Sequence, residues 1–382
     1  MPLAPLVAPG PPLSPDELAR YARHLTLPGV GPEGQRRIRN AKVLLVGAGG
    51  LGAPILQYLV AAGLGELTVI DDDRVESSNL QRQVIHREAD VGLTKVDSAV
   101  QAARRLDAGA RITPIRGQLT PDNALELFAA HDLVIDGTDN FATRYLSNDA
   151  AELSGTPLVW GTIFQFSGQV SVFTPGHGPM LRDLFPEMPD ADSVPSCAEG
   201  GVFGALCGVV GATMATEALK LICGVGEPLI GRLWCYDAAA AHTMTLELET
   251  DPDREPVREL GEYHQVCAAP PATVQELEVS ELAAVQAGAT VQLVDVRESW
   301  EREVVAIPGS IHVPLDRVLA EGWAALPDAP EGRVTVLVCK TGARSQRAAS
   351  ALLAADAQAT VLNLAGGTLR WASEVRGKVL DY

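Results

Sequence analysis

A cysteine that opens a helix just after an apolar strand is a place for sulfur chemistry. Cys339-Lys340-Thr341-Gly342-Ala343-Arg344-Ser345 follows the β-type run Val334 to Val338 and leads into a helical pattern from Arg344 to Leu353. A loop of this shape aims successive backbone N–H groups at the sulfur. With the helix N-terminus and the cations Lys340 and Arg344, it would stabilise a thiolate or a persulfide anion. Cys-Arg phosphatases use the same geometry with a longer loop. The four residues between Cys339 and Arg344 make a ring too tight for phosphate.

A second constellation calls for a nucleotide. Gly47-Ala48-Gly49-Gly50-Leu51-Gly52 follows the strand-like run Lys42 to Val46 and opens a helix. Gly47, Gly49, Gly50 and Gly52 let backbone N–H groups approach a phosphate, and the helix N-terminus favours its charge. Asp71 ends the next strand, where a carboxylate binds ribose hydroxyls. Alone, this pattern fits NAD as well as ATP. Asn79, Arg82, Lys95 and Asp139 then follow, and hydride transfer needs none of them. Adenylation needs cations on a triphosphate and a carboxylate for Mg²⁺. Arg82 and Lys95 supply the first and Asp139 the second. A third candidate, Cys197, lies just before another helix N-terminus, where the helix dipole suits a thiolate nucleophile; a packing cysteine is the alternative reading.

These residues need elements to hold them. The chain has 382 residues, 47% of them apolar, enough for two domains. Ser14 caps a helix expected over Pro15 to His24. Strands at 42–46, 67–70, 111–115 and 132–135 alternate with helices at 53–62, 94–106, 121–130 and 141–153. That rhythm predicts an α/β fold with a doubly wound, mostly parallel sheet. A long aperiodic stretch, 174–201, reads as a lid or binding loop. A helix over 202–222 reads as a core or dimer-interface helix. Strands near 232–236 and 243–248 complete the domain. We expect a flexible tail over 1–13, the first domain over 14–250, a linker over 251–275 and a smaller α/β domain over 276–382. The net charge of −18 argues against direct binding to nucleic acid or to an anionic membrane. Six cysteines without a C-x-x-C pair, and no signal-like N-terminus, suit reduced thiols in the cytoplasm.

Arg20-Tyr21-Ala22-Arg23-His24, GAGGLG, IDDDRVESSNLQRQ, VGLTK and DGTDN occur in order, and together they resemble the MoeB/ThiF family. These are bacterial relatives of the ubiquitin-activating enzymes, with a Rossmann-like adenylation domain. The resemblance covers about residues 14 to 250. It implies ATP and Mg²⁺ as cofactors, with ribose on Asp71, phosphates on Asn79, Arg82 and Lys95, and Mg²⁺ on Asp139. It implies a homodimer in which Arg23 reaches the partner's ATP. The substrate would be the C-terminal Gly-Gly carboxylate of a small β-grasp sulfur carrier. Cys197 would attack the acyl-adenylate or resolve an acyl disulfide.

Many such relatives hold a structural zinc between two C-x-x-C pairs, the first beside a Leu-Phe-Pro segment. Here that segment is Met180-Leu181-Arg182-Asp183-Leu184-Phe185-Pro186, without cysteine. Asp183, His264 and Cys267 are the only remnant donors, and no zinc is expected. Residues 276 to 382 resemble a rhodanese, on the Cys339 loop, Leu293 to Glu298, Ile307 to Pro314 and Leu364 to Trp371. Gly261 to Cys267 is similar to the linker of MoeZ-type fusions of the two domains. The implied reaction joins both halves: ATP adenylates the carrier, and a Cys339 persulfide, charged by a cysteine desulfurase or thiosulfate, attacks the adenylate. An NAD oxidoreductase fused to a sulfurtransferase, or a scaffold that docks carriers, would be the alternatives.

Overall fold

The computed structural model describes residues 4–189, 201–263, 274–288, 291–327 and 334–380. It divides into two compact units, Met1–Val266 and Cys267–Tyr382. The first is built on β1 (Lys42–Val46), β2 (Glu66–Asp71), β3 (Ile112–Arg116), β4 (Leu133–Asp136), β5 (Leu158–Phe164), β6 (Ser167–Phe173), β7 (Arg232–Asp237) and β8 (His242–Glu247). They form one sheet in the order β3-β2-β1-β4-β5-β6-β7-β8. The pairs from β3 to β5 are parallel, and those from β5 to β8 are antiparallel.

Alternation along β1 explains why both faces of this sheet are covered. Val43 and Leu45 enter one apolar cluster, and Leu44 and Val46 enter the other. Side chains of a strand point alternately to opposite faces, so a continuous apolar run demands helices on both. Helix Gly204–Cys223 fills one face, packed on helix Gly52–Ala61 and on β5 and β6. By length and composition it could cross a membrane, yet most of it is buried within the unit. Helices Pro121–Ala129 and Phe141–Ser154 cover the other face. The strand order reverses at β1, so a crevice opens at the carboxyl ends of β1, β2 and β4.

The second unit carries β9 (Gln275–Leu277), β10 (Val291–Asp295), β11 (Ile311–His312), β12 (Val334–Val338) and β13 (Val361–Leu364). Its sheet runs β11-β10-β12-β13-β9, parallel throughout. Thus the α/β class expected from the sequence holds for both units.

Four local expectations need correction. The helix expected over 15–24 breaks at Tyr21, giving Pro15–Arg20 and Ala22–Leu25. Tyr21 is buried, its ring against Gly63. The segment expected to be a flexible tail is packed from residue 4: Val7 is buried, and the Leu6 N–H donates to the Leu221 carbonyl at 3.0 Å. Leu6 and Val7 join the apolar cluster to which helix Gly204–Cys223 contributes. Among its described residues the aperiodic stretch holds a helical turn, Leu181–Leu184. Lastly, the expected linker is no linker over 251–263. Arg254, Leu260 and Tyr263 are tied to the first unit by ion pairs and apolar contact.

Candidate functional site

The glycine turn joins β1 to helix Gly52–Ala61, and two of its glycines are required by geometry. Gly47 has φ +93°, which side chains resist. At Gly52 a Cβ would stand 2.1 Å from the Gly47 carbonyl oxygen. We therefore expect Gly52→Ala to open the turn, to cost roughly 1–3 kcal/mol of stability, and to lose nucleotide binding. Thermal melting and ATP calorimetry check both.

A cleft of about 950 Å³ lies at this turn. Gly47, Gly49, Gly50, Asp71, Asn79, Arg82, Lys95 and Asp139 all line it, so the structure brings these residues to one place. Gly52 stands behind the turn, as its contact with Gly47 requires. Asp71 accepts the Ala48 N–H at 2.8 Å and the Asp73 N–H at 2.8 Å. Burial pushes its carboxyl above the ordinary range, against the pull of the Lys95 ammonium. Lys95 is itself buried and pairs with Asp73 at 2.7 Å. That pairing holds a long side chain in place on the cleft wall. Arg82 donates to the Ser78 carbonyl at 3.1 Å. Asp139 is exposed just before Asn140, which caps helix Phe141–Ser154 by accepting the Thr143 N–H at 2.8 Å. An exposed carboxylate in a cleft that cationic side chains also line suits a Mg²⁺–nucleotide.

Arg23 is exposed and does not line the cleft of its own chain. Cys197, His264 and Cys267 lie outside the described residues.

In the second unit Cys339 directly follows β12 and is buried. Its Sγ accepts the Gly342 N–H at 3.1 Å. Gly342 caps helix Ala343–Ala355 in a left-handed conformation, which turns the loop back over the sulfur. The Thr368 and Leu369 N–H groups donate to the Cys339 and Lys340 carbonyls at 2.8 and 3.1 Å, fixing the loop from behind. Arg344 is held by Glu301 through two bonds, 2.7 and 2.6 Å. Burial, the largest single influence, would raise the Glu301 carboxyl, but Arg344, the Glu298 N–H and the charge of Arg297 together outweigh it and the net shift is downward. Arg344 thus anchors the loop as part of an ion pair. Arg297 is fully buried on Asp295, with Nη2 to Oδ2 at 2.7 Å, and serves as a strut. Removing one partner of a buried pair strands the other, so Glu301→Ala should destabilise this unit by roughly 3 kcal/mol. Hydrogen exchange of the β10 and β12 amides reads that loss.

The ThiF family profile matches residues 21–257, more than half of the chain. The chain belongs to the ThiF family. A rhodanese-like domain matches residues 278–374. Among curated relatives, the "probable adenylyltransferase/sulfurtransferase MoeZ" of Mycobacterium tuberculosis is 45% identical over 100% of this chain and 99% of its own. The "sulfur carrier protein adenylyltransferase" of Thermus thermophilus is 50% identical over 66% of this chain and 97% of its own. The "adenylyltransferase and sulfurtransferase MOCS3" of Sus scrofa is 38% identical over 98% and 90%. Both matched domains are enzymatic, and this ThiF-family chain is an enzyme. Among solved structures, the crystal structure of E. coli MccB with MccA-N7isoASN superposes with a TM-score of 0.57 at 20% identity, over 63% of this chain and 74% of that one. That likeness shows the fold of the first unit.

The zinc of many relatives can be tested against Asp183. Its side chain has no exposure, and it accepts the Met180 N–H at 2.6 Å, the Asp251 N–H at 3.1 Å and Arg254 Nε at 2.9 Å. A guanidinium already stands on the one remnant donor that is described, so the site does not fit a dication. Sequence reasoning missed Gly261, Glu262 and Tyr263, which line the nucleotide cleft, and Glu301. A tyrosine in a charged, Pro-rich stretch was the only local signal for the first group. Glu301 had none.

Proposed function

We propose that this enzyme adenylates the C-terminal glycine of a small β-grasp sulfur-carrier protein and then replaces the activated oxygen with sulfur held on Cys339. The observation that carries the reading is the union in one chain of an adenylation cleft and a cysteine loop, each with its supporting residues. An adenylate needs a sulfur nucleophile, and a persulfide needs an activated acyl group. Neither half explains itself as well alone.

In the first step a carboxylate oxygen of the carrier attacks the α-phosphorus of ATP. An O–P bond forms, the bond to the β-phosphate breaks, and pyrophosphate leaves. Asp71 holds the ribose, and Asn79, Arg82 and Lys95 hold the phosphates. Asp139 would hold Mg²⁺, which when bound offsets charge on the departing pyrophosphate. Arg23 acts from the partner subunit of a homodimer. In the second step the terminal sulfur of the Cys339 persulfide attacks the acyl carbonyl and AMP leaves, giving an acyl disulfide. A second thiol, for which we nominate Cys197, attacks the Cys339 sulfur and releases the carrier thiocarboxylate. A cellular thiol reduces the resulting disulfide. The persulfide comes from a cysteine desulfurase or from thiosulfate, in the cytoplasm, where thiols stay reduced.

Carrier-dependent exchange of pyrophosphate into ATP tests the first step. Exchange that needs a Gly-Gly terminus supports the reading. Failure with every such carrier, from folded protein that binds ATP, overturns it.

A further inference from the structure

Residues 251–263 run back across the first unit, held at successive points. Asp251 and Arg254 bind Asp183. Arg254 Nη1 also reaches Glu152 Oε2 at 3.0 Å, and the Val257 N–H donates to Glu152 Oε1 at 3.1 Å. The Tyr263 hydroxyl donates to Asp149 Oδ2 at 2.6 Å, and Arg182 braces the same carboxylate with two bonds of 2.7 Å. Asp149 and Glu152 lie one turn apart on helix Phe141–Ser154, the helix that starts beside Asp139.

One more turn back along that face is Leu146. Ile70, Leu119 and Leu146 belong to the apolar cluster on which Tyr263 packs, and all four residues line the nucleotide cleft. The cleft therefore has two characters. Its glycine turn, Asn79, Arg82 and Lys95 are polar and suit phosphates. Its Ile70–Leu119–Leu146–Tyr263 side is apolar and suits the flat face of a base. Asp71, beside Ile70 at the end of β2, lies where the ribose between them belongs.

We propose that the 251–263 strap is part of the nucleotide site, with Tyr263 as the wall of the base pocket and the Arg254–Asp183–Glu152 ion cluster as its metal-free anchor. The anchor takes up Asp183, the one described remnant of the zinc donors that the family resemblance implies. Arg254 is a positioning residue, since it acts through the strap and does not line the cleft. The proposal rests on the adenylation reading for its ligand, ATP.

The test is calorimetric binding of ATP to the full-length protein, which needs no carrier. Tyr263→Ala should weaken ATP by about tenfold, the loss expected when an aromatic wall against a base is removed. Tyr263→Phe, which keeps the ring and loses the bond to Asp149, should weaken it less. Arg254→Met should weaken ATP although it touches no ligand, and Arg254→Lys should recover part of the loss. KM for the carrier at saturating ATP should not change in any of them, whereas general damage to the fold would move both. Purified protein should carry no stoichiometric zinc, and a chelator should leave ATP binding intact. Wild-type affinity in Tyr263→Ala and Arg254→Met, with β1 to β5 amides protected as in wild type, overturns the proposal alone. A stoichiometric zinc whose removal abolishes ATP binding also overturns it. A wild-type protein that does not bind ATP overturns the adenylation reading beneath it.

Discussion

Replacing Cys339 by alanine abolishes sulfur transfer from thiosulfate, by at least about a thousandfold, and leaves carrier-dependent pyrophosphate exchange intact. The expectation follows from the separation of the chemistry. Cys339 is the only cysteine of the second unit among the described residues, and its sulfur receives the Gly342 N–H inside a loop that closes around it. Among the described residues no other group there can hold a terminal sulfur. The nucleotide cleft is lined wholly by residues of the first unit, so removing one thiol from the second leaves that lining unchanged. Ala also fits the space of a buried cysteine without a new polar group. A thiosulfate–cyanide assay and an exchange assay on the same preparation read the two halves. Full sulfur transfer by Cys339→Ala would remove this residue from the account.

Asp139→Ala should abolish pyrophosphate exchange, by about two to three orders of magnitude. The loss arises in the step that separates charge. As the α–β bond breaks, negative charge grows on pyrophosphate, and only groups already placed there stabilise it without rearrangement. Asp139 brings a carboxylate to the cleft wall at the start of helix Phe141–Ser154, and among the described residues it has no partner that would explain it as a strut. The neighbouring Asp136 is different: it is fully buried and accepts the Thr138 hydroxyl at 2.6 Å, which shapes the loop. Thus Asp139→Ala should leave the fold and sulfur transfer from thiosulfate unchanged, while Asp136→Ala should destabilise the unit. Exchange rates measured beside thermal melting separate the two. Exchange by Asp139→Ala at the wild-type rate would leave Mg²⁺ without its proposed holder.

How much of this was legible in the sequence depends on the distance over which each feature is made. The turn at Gly47–Gly52 and the loop at Cys339–Arg344 are local: strand, turn and helix follow one another, and each residue type has a reason to be there. The alternation of strands and helices that fixes the parallel sheet is local too. The break at Tyr21 is not, because Tyr21 is drawn inward by Gly63, across the chain. The tail and the strap escaped for the same reason. Val7 is buried against helix Gly204–Cys223, and Arg254 finds Glu152 at a separation of 102 residues. Composition reads both segments as solvated, since Pro and charge are what free linkers have. Here the charges are spent on one another, and a Pro-rich chain is stiff enough to lie flat on a surface. Glu301 shows the limit most plainly: a glutamate on a short helix carries no sign that its partner is Arg344.

The central claim is that one chain both activates a carrier and gives it sulfur. The most direct measurement is the mass of a Gly-Gly carrier after incubation with the enzyme, ATP, Mg²⁺, thiosulfate and a thiol reductant. The account predicts exchange of one carrier oxygen for sulfur, dependent on ATP and lost in both Cys339→Ala and Asp139→Ala. A carrier that is adenylated, as shown by pyrophosphate release, yet never gains sulfur under these conditions or with a cysteine desulfurase as donor would contradict it.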